Sequence, residues 1–528
     1  MAIKNKLNIK KNGVYYTPAS IAQFLASKLI NKACLSIFDP AYGKGSLLLA
    51  AEAELWKKGN KKIESLLYGC DKSPSNGHLK HLPDSNFLKM DFFDYPLENK
   101  YDVILMNPPF VRHHLISNSR KKKYLKKIVH LCKIKWRSDL WSYFLIKAVG
   151  HLNVSGSIGA ILPRSFLQAD YSQDIRSWLA DNFSEIQALS LGEDYFDKAQ
   201  EKIVLVWLQG FGKESNSIKV SFAQHISEDI TYSDLSKNRW RSDSIVFSYN
   251  HNIEKIIQKY LVQYNFIRFE EIAKIKIGIV TGADRFFILG DKEAKDYGFL
   301  DNQLVPIFTS SKDMPALYLN GNQPSKRLLL ISKNHYKKFK HYILEGEEKK
   351  YHLRAHSLRR DSWYSVEVGI VPDAFFPYRV SLLPFLVRND RKVQCTNSIH
   401  RIYFKDLSIN QIKWLQISQL SIPGQLSLEA YSKTYGSGVL KIEPKSLKRS
   451  IIYKSNDPSI DTVYYQVSEL ISLNKKIEAV NLATEFINEK LKISTKFSNI
   501  TKSALIELQN RRLKTVKLKD GIKGYAAQ

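Results

Sequence analysis

The tetrapeptide Asn107-Pro108-Pro109-Phe110 closes the apolar run Tyr101-Asp102-Val103-Ile104-Leu105-Met106. These four residue types suit one demanding piece of chemistry. An exocyclic amine on a nucleobase is a poor nucleophile, because its lone pair is delocalised into the ring. An Asn side-chain oxygen and the next residue's carbonyl can accept its two N–H bonds and draw the nitrogen toward tetrahedral geometry. Two prolines hold that backbone stiffly and add no competing donors. The aromatic residue offers a face for a planar base. By itself the tetrapeptide also fits a Pro-Pro turn ending a buried strand, so its surroundings have to decide.

Across the first 210 residues short apolar runs alternate with helical patterns, which predicts a parallel sheet covered by helices. A first strand around Leu35–Phe38 runs into Asp39-Pro40-Ala41-Tyr42-Gly43-Lys44-Gly45-Ser46 and then an apolar helix over Leu47–Leu55. Further strands are expected at Leu66–Cys70, Phe87–Met90, Tyr101–Met106, Ser157–Leu162, Ile186–Leu191 and Lys202–Leu208. Ligands of such sheets bind at the carboxyl ends of the strands, where Asp39, Asp71, Asp91 and the tetrapeptide all fall. The Gly43-x-Gly45 turn lets backbone approach a ligand at a helix N-terminus, although the third glycine of the full dinucleotide fingerprint is missing. Asp71 is placed to accept ribose hydroxyls. Asp91 and Phe92 suit an adenine amine and an aromatic wall. Each Asp taken singly is more often a helix cap or turn former, but three successive strand ends carrying one, followed by Asn-Pro-Pro-Phe on a fourth, form a pattern.

Composition narrows the partner. The 528 residues carry 44% hydrophobic and 25% charged side chains, an ordinary globular balance, yet 80 Lys+Arg against 51 Asp+Glu leave a formal net charge of +29. Such an excess points to a polyanion, with an anionic membrane surface as the lesser candidate and a Lys-rich composition habit as the bland one. Cys34, Cys70, Cys132 and Cys395 stand far apart with no Cys-x-x-Cys pair, which argues against a metal framework and a disulfide scaffold. Ile21 to Ile30 is interrupted by Gln23, Ser27 and Lys28 and reads as an amphipathic helix, not a signal peptide. No apolar run approaches the ~18 residues of a membrane span, so a soluble, cytoplasmic protein is expected.

With these residues assembled, the chain resembles the DNA adenine-N6 methyltransferases of type II restriction-modification systems, in the subgroup whose cofactor half precedes the catalytic half and whose target-recognition domain comes last. The resemblance is close over about the first 210 residues and loose beyond. It implies an α/β fold: a class I S-adenosylmethionine-dependent methyltransferase domain with a Rossmann-like seven-stranded sheet over residues 1–210. A linker at 211–250 would follow, then a mixed α/β target-recognition domain with C-terminal helices over 251–528. By the same resemblance Tyr16, Thr17 and Pro18 fold over the methionine end of S-adenosylmethionine. Asp39, Pro40, Ala41, Gly43 and Gly45 form its glycine loop, Asp71 holds its ribose, and Asp91 with Phe92 forms its adenine pocket. Asn107, Pro108 and Phe110 match the catalytic motif, Asn107 also facing the cofactor. Ser138-Asp139-Leu140-Trp141-Ser142-Tyr143-Phe144 resembles a helix start lining the pocket, and Tyr195-Phe196 the segment whose aromatic, here Phe196, stacks with Phe110 on the flipped base. The sequence departs from the pattern twice: Phe110 stands where Tyr is common, and Ser46 where a Phe often follows the glycine loop. Direct transfer needs no metal, and no Pro-Cys dipeptide is present for cytosine-C5 chemistry.

Between Arg112 and Arg137 there are ten Lys or Arg and no Asp or Glu. Tyr124, Leu125, Ile128, Leu131 and Cys132 recur at helical spacing. An amphipathic helix beside the catalytic loop is expected to contact the DNA backbone through Arg112, Lys121, Lys122 and Lys123, against the bland reading of a solvated face. Farther on, Lys276–Phe287, Asn397–Tyr403 and Tyr435–Pro444 resemble segments of the recognition domain, and Val467–Leu491 and Ser503–Leu513 read as helices. Glu293-Ala294-Lys295 has the carboxylate-x-Lys spacing of a nuclease but no Pro-Asp strand leads into it. Any restriction endonuclease is therefore expected as a separate partner, and the chain as a monomer on double-stranded DNA. Cytosine-N4 methylation presents the same amine chemistry, related enzymes act on ribosomal RNA or protein glutamine, and a modification subunit active only with a partner is the non-catalytic rival.

Overall fold

The computed structural model describes residues 17–513, apart from 32, 62, 75–78, 80, 193–202, 224, 227–229, 242–244, 246–252, 320, 322 and 435–437. The chain divides into two units, Met1–Tyr249 and Asn250–Gln528.

The first unit is built on one sheet of nine strands: β1 (Ile37–Asp39), β2 (Leu67–Asp71), β3 (Phe87–Lys89), β4 (Tyr101–Met106), β5 (Leu152–Pro163), β6 (Phe183–Leu191), β7 (Ile203–Phe211), β8 (Ser217–Ala223) and β9 (Ser233–Asp234). Their order is β3-β2-β1-β4-β5-β7-β6-β8-β9. Strands β1 to β5 pair in parallel, while β7 runs antiparallel to both β5 and β6. The helices of this unit include α1 (Ala19–Ser27), α2 (Ser46–Lys57), α3 (Asn118–Ile128), α4 (Leu140–Val149), α5 (Ser165–Gln168) and α6 (Ser172–Asn182). The apolar run of β4 explains the layering. Val103 and Leu105 join one core with Leu25 of α1 and Leu48 of α2, whereas Ile104 and Met106 join the other with Trp141 and Leu145 of α4. A strand buried on both faces has to be continuously apolar. Trp207 on β7 donates its Nε1–H to Leu25 O at 3.1 Å, which docks α1 on the sheet.

The seven expected strands are present as β1 to β7, and β8 and β9 extend the sheet to nine. One expectation is corrected: the segment 211–250 is no simple linker, since it contains β8 and β9. Ile218, Val220 and Phe222 alternate with Lys219 and Ser221, and β8 pairs in parallel with β6 over Glu185–Leu191. β8 lies between β6 and β9, and its alternation of apolar with polar residues reads as loop when only mean polarity is weighed.

In the second unit, Ala273–Ile277, Ile399–Phe404, Ala374–Pro377 and Val387–Arg388 form one antiparallel sheet, in that order. A second sheet joins Ile288–Gly290, Lys326–Leu329, Leu304–Phe308 and Gln394–Cys395. Helices Ile409–Leu420, Ile422–Tyr431, Ile460–Ser472, Lys476–Lys490 and Thr495–Leu513 close the chain. The helix expected over Val467–Leu491 is in fact two, broken where Asn474 takes φ of 60°. Asn tolerates this left-handed geometry better than most residues. The last helix begins earlier than expected, and its buried Arg512 pairs with Glu429 at 2.6 Å. Among the described residues no helix is long and apolar enough to cross a membrane.

Candidate active site

A cavity of about 590 Å³ opens at the carboxyl ends of β1, β2 and β4, within the size range of small-molecule sites. Asp39, the last residue of β1, is 1% exposed, and its Oδ1 accepts the Ala41 N–H at 2.9 Å. The chain then turns through Gly43 (φ 54°) and Gly45 (φ 84°) into α2. A Cβ at Gly45 would lie 2.6 Å from the Leu79 side chain, so conformation and space both demand glycine. Asp71, at the end of β2, accepts the Gly43 N–H at 2.9 Å and the Ser73 N–H at 2.7 Å. One carboxylate thus braces the glycine loop and the turn after β2, with lone pairs remaining for further donors. Asp91 caps the short turn Phe92–Asp94 by accepting the Phe93 N–H at 3.0 Å, and it faces Lys72 at 3.7 Å. Phe92 is buried beside it.

Asn107 follows β4, and its Nδ2 donates to Thr17 Oγ1 at 3.0 Å, tying the Asn-Pro-Pro-Phe tetrapeptide to the segment that precedes α1. Thr17, Asp39, Pro40, Ala41, Gly43, Asp71, Asp91, Phe92 and Asn107 all line the cavity. Pro18, Gly45, Pro108 and Phe110 do not; Pro109 is the proline of the motif that does. Phe110 is half-buried and packs against both cores of the unit. Tyr16 and Phe196 lie outside the described residues.

The helix start at Ser138–Phe144 has a second role beyond lining the pocket with Leu140 and Phe144. Asp139 accepts the His113 N–H at 2.7 Å on one oxygen and the Tyr171 hydroxyl at 2.8 Å on the other. The loop leaving the Asn-Pro-Pro-Phe tetrapeptide is therefore anchored to the start of α4 and to the segment between α5 and α6.

The basic insert is helical as expected, but half of its face turns inward. Ile116, Arg120 and Tyr124 line the cavity at spacings of four, and Tyr124 stacks on Phe93 with ring centroids 3.9 Å apart. That spacing was visible beforehand, but the density of lysines masked it. The expected DNA contact at Lys121 is not supported: the side chain is buried, with its ammonium 5.4 Å from the Trp136 ring centroid. Lysine stems commonly bury in this way along apolar surface. Lys123 pairs with Asp94 at 2.7 Å, while Lys122 and Arg112 are exposed.

Burial dominates the electrostatics. It pushes the Asp39 carboxyl up from 3.8 to about 8, with the charge of Asp71 adding to the shift and the Ala41 N–H opposing it. A carboxyl raised in the folded protein stabilises the fold below its unfolded value and loses that contribution as pH climbs through the folded one. Wild-type protein is therefore expected to lose more unfolding free energy than Asp39→Asn between about pH 5 and about pH 8 in denaturant titrations. Equal losses in the two proteins would refute the assignment.

The donor set fits a nucleoside carrying a cation. Carboxyl groups at adjacent strand ends (Asp39 buried, Asp71 and Asp91 partly exposed), backbone at the start of α2, and the apolar walls of Phe92, Leu140 and Phe144 are what S-adenosylmethionine would require. No cluster of His, Cys, Asp or Glu able to hold a metal occurs among the described residues.

Comparison with known proteins gives concordant results. Residues 4–276 match the family described as N-6 DNA Methylase, and residues 244–488 match the C-terminal domain of the type II methyltransferase M.Eco57I. The type II methyltransferase M.AccI of Acinetobacter calcoaceticus is 24% identical over 516 residues, covering 91% of this chain and 94% of M.AccI. M.XamI of Xanthomonas campestris pv. amaranthicola is 21% identical, covering 86% of each chain. Among solved structures, the type IIL restriction-modification enzyme MmeI in complex with DNA superposes with a TM-score of 0.55 at 13% identity, covering 97% of this chain and 76% of MmeI. That likeness is one of fold.

Proposed function

The chain belongs to the N-6 DNA methylase family and is a site-specific DNA methyltransferase of the restriction-modification type; we propose that it methylates the N6 amine of an adenine extruded from duplex DNA, using S-adenosylmethionine. The observation that carries this reading is that Asn107 opens onto the same cavity as Asp39, Asp71 and Asp91. A base-modifying residue and a nucleoside pocket thereby share one wall.

The chemistry follows from these residues. The target adenine has to leave the duplex, because its amine is buried in pairing and stacking. Phe110, and Phe196 by resemblance, offset that cost by stacking, each worth about 1–3 kcal/mol. Asn107 Oδ1 and the Pro108 carbonyl accept the two amine N–H bonds and turn the nitrogen lone pair toward the cavity. Asp139 keeps the following loop in place through the His113 N–H. Asp71 receives the ribose hydroxyls, Asp39 and the glycine loop frame the amino-acid end, and Asp91 with Phe92, Leu140 and Phe144 encloses the adenine. When bound, S-adenosylmethionine supplies an electrophilic methyl group on a sulfonium. The protein contributes position, not covalent catalysis. The second unit then provides sequence recognition, and any nuclease acts from a separate chain.

The test is modification-sensitive long-read sequencing of genomic DNA from a methylation-free host expressing the chain. N6-methyladenine at one recurring sequence is expected. N4-methylcytosine there would transfer the assignment to cytosine, and an unmarked genome would refute autonomous DNA methylation by this chain.

A further inference from the structure

The second unit contains a segment whose chemistry the proposed catalysis does not use. Residues 349–360 read Lys-Lys-Tyr-His-Leu-Arg-Ala-His-Ser-Leu-Arg-Arg, five Lys or Arg with no Asp or Glu. This arm lies across the turn that follows the sheet strand Ala273–Ile277. Arg354 Nη1 donates to Gly282 O at 3.1 Å and Arg360 Nη2 to Val280 O at 2.7 Å. Farther along, Arg401 Nη1 holds Val368 O at 2.9 Å and the Tyr403 hydroxyl holds Ile370 O at 3.0 Å. Gly282 has φ of 76°, and a Cβ there would lie 2.8 Å from His356 Cβ. The Trp363 ring sits 4.6 Å from Phe286. An irregular segment is thus fastened to the fold at both ends and from beneath.

Its outward face combines apolar and basic side chains. Leu353 is 56% exposed, Leu358 66% and Ile370 77%. Between and beside them stand the exposed Arg359 on the arm and Arg285 on the turn. Among the described residues neither guanidinium is engaged in an ion pair. Leucines held at the surface forgo burial, and exposed apolar side chains with a polar rim mark interaction sites. A protein partner of ordinary composition would leave the arginines uncompensated. A duplex satisfies both features, its phosphates taking the arginines and its groove accepting apolar side chains, a combination known from proteins that insert wedges between base steps.

We infer that the arm at 349–371, with the Gly282 turn, is the duplex-DNA face of the second unit, Arg285 and Arg359 meeting phosphates and Leu353 and Leu358 pressing into the groove. The inference rests on the reading of the chain as a DNA methyltransferase. It concerns which surface meets the duplex, not whether one is bound.

The test uses the full chain and a fluorescent random-sequence duplex, titrated across salt concentrations. Replacing Arg285 and Arg359 together by Ala is expected to reduce the slope of log affinity against log salt by roughly 2, since each phosphate contact contributes about 0.9. Leu358→Ser is expected to weaken binding several-fold without moving the slope. S-adenosylmethionine affinity, which reports on the first unit, should stay at the wild-type value in both variants. Unchanged slope and unchanged affinity in a wild type that binds duplex would overturn the arm's role alone. A wild type that binds no duplex at any salt would overturn the DNA reading and the inference with it.

Discussion

Replacing Asn107 by alanine is expected to lower methyl transfer by at least about 10³-fold while changing S-adenosylmethionine affinity by less than about threefold. The size of the effect follows from what the side chain does. In the proposed mechanism it supplies one of two acceptors aimed at the reacting amine, and deleting a single positioned hydrogen-bonding group at a reacting centre typically costs 10²–10³ in rate. Here the loss is compounded, because Asn107 also donates to Thr17 at 3.0 Å and so helps hold the motif against the segment before α1. The fold should survive. Asn107 is only half-buried and follows β4, whose own pairing with β1 and β5 is untouched. Asn107→Asp sharpens the test: it keeps an acceptor at the same place but loses the donor to Thr17, so it should retain more activity than the alanine variant at a pH where the carboxylate is ionised. Turnover of the alanine variant within tenfold of wild type, measured by methyl incorporation into plasmid DNA, would remove Asn107 from the catalytic role.

Asp71→Ala is expected to act on the cofactor first, raising its Kd by roughly 10²-fold. The carboxylate accepts two backbone N–H bonds, from Gly43 and Ser73, before any ligand arrives. Removing it strands both donors and withdraws the acceptor of the ribose hydroxyls. Hydrogen bonds to charged groups contribute about 1.5–3 kcal/mol, and 1.4 kcal/mol is a factor of ten in affinity, so two decades is a moderate figure. Asp71→Asn keeps one acceptor oxygen and should fall between. Calorimetric titration with S-adenosylmethionine measures the loss, and saturating cofactor should restore much of the rate, because Asp71 does not touch the reacting amine. A variant with normal cofactor affinity and weakened DNA binding would invalidate the ribose assignment.

Much of this site is legible in the sequence alone. β4 is legible to the residue, Tyr101–Met106, because an apolar run broken only by Asp102 and bounded by Lys100 and Asn107 has one comfortable place, the middle of a sheet covered on both sides. Asp39, Asp71 and Asn107 were legible as strand-end residues for the same reason, and the structure gathers all three around one cavity with Asp91. The glycine loop declared itself through two glycines that the backbone now shows in left-handed geometry.

Other features depended on contacts that no local window contains. β8 exists because a modest alternation finds the edge of β6; its mean polarity alone reads as a linker. The break at Asn474 arises where one helix ends and the chain turns to begin another, so a continuous helical periodicity across it was misleading. Lys121 shows the same limit from the opposite direction. It lies three and seven residues before Tyr124 and Ile128, on the face that packs inward, yet charge made it read as solvent-facing. Which wall of a cavity a helix forms, and which of its lysines lose contact with water, is decided by the surface it packs against.

The sequence by itself determined the chemistry, because Asn-Pro-Pro-Phe and the three strand-end aspartates derive their meaning from residue type and from positions set by local periodicity. Only the tertiary structure decided the enclosure: α3 as a wall of the cavity at the strand ends, Asp139 as the anchor of the loop after Asn-Pro-Pro-Phe, and the arm at 349–371 as a fastened, exposed surface. Residue type and period are carried by near neighbours along the chain, whereas burial and exposure are sums over atoms that only folding brings together.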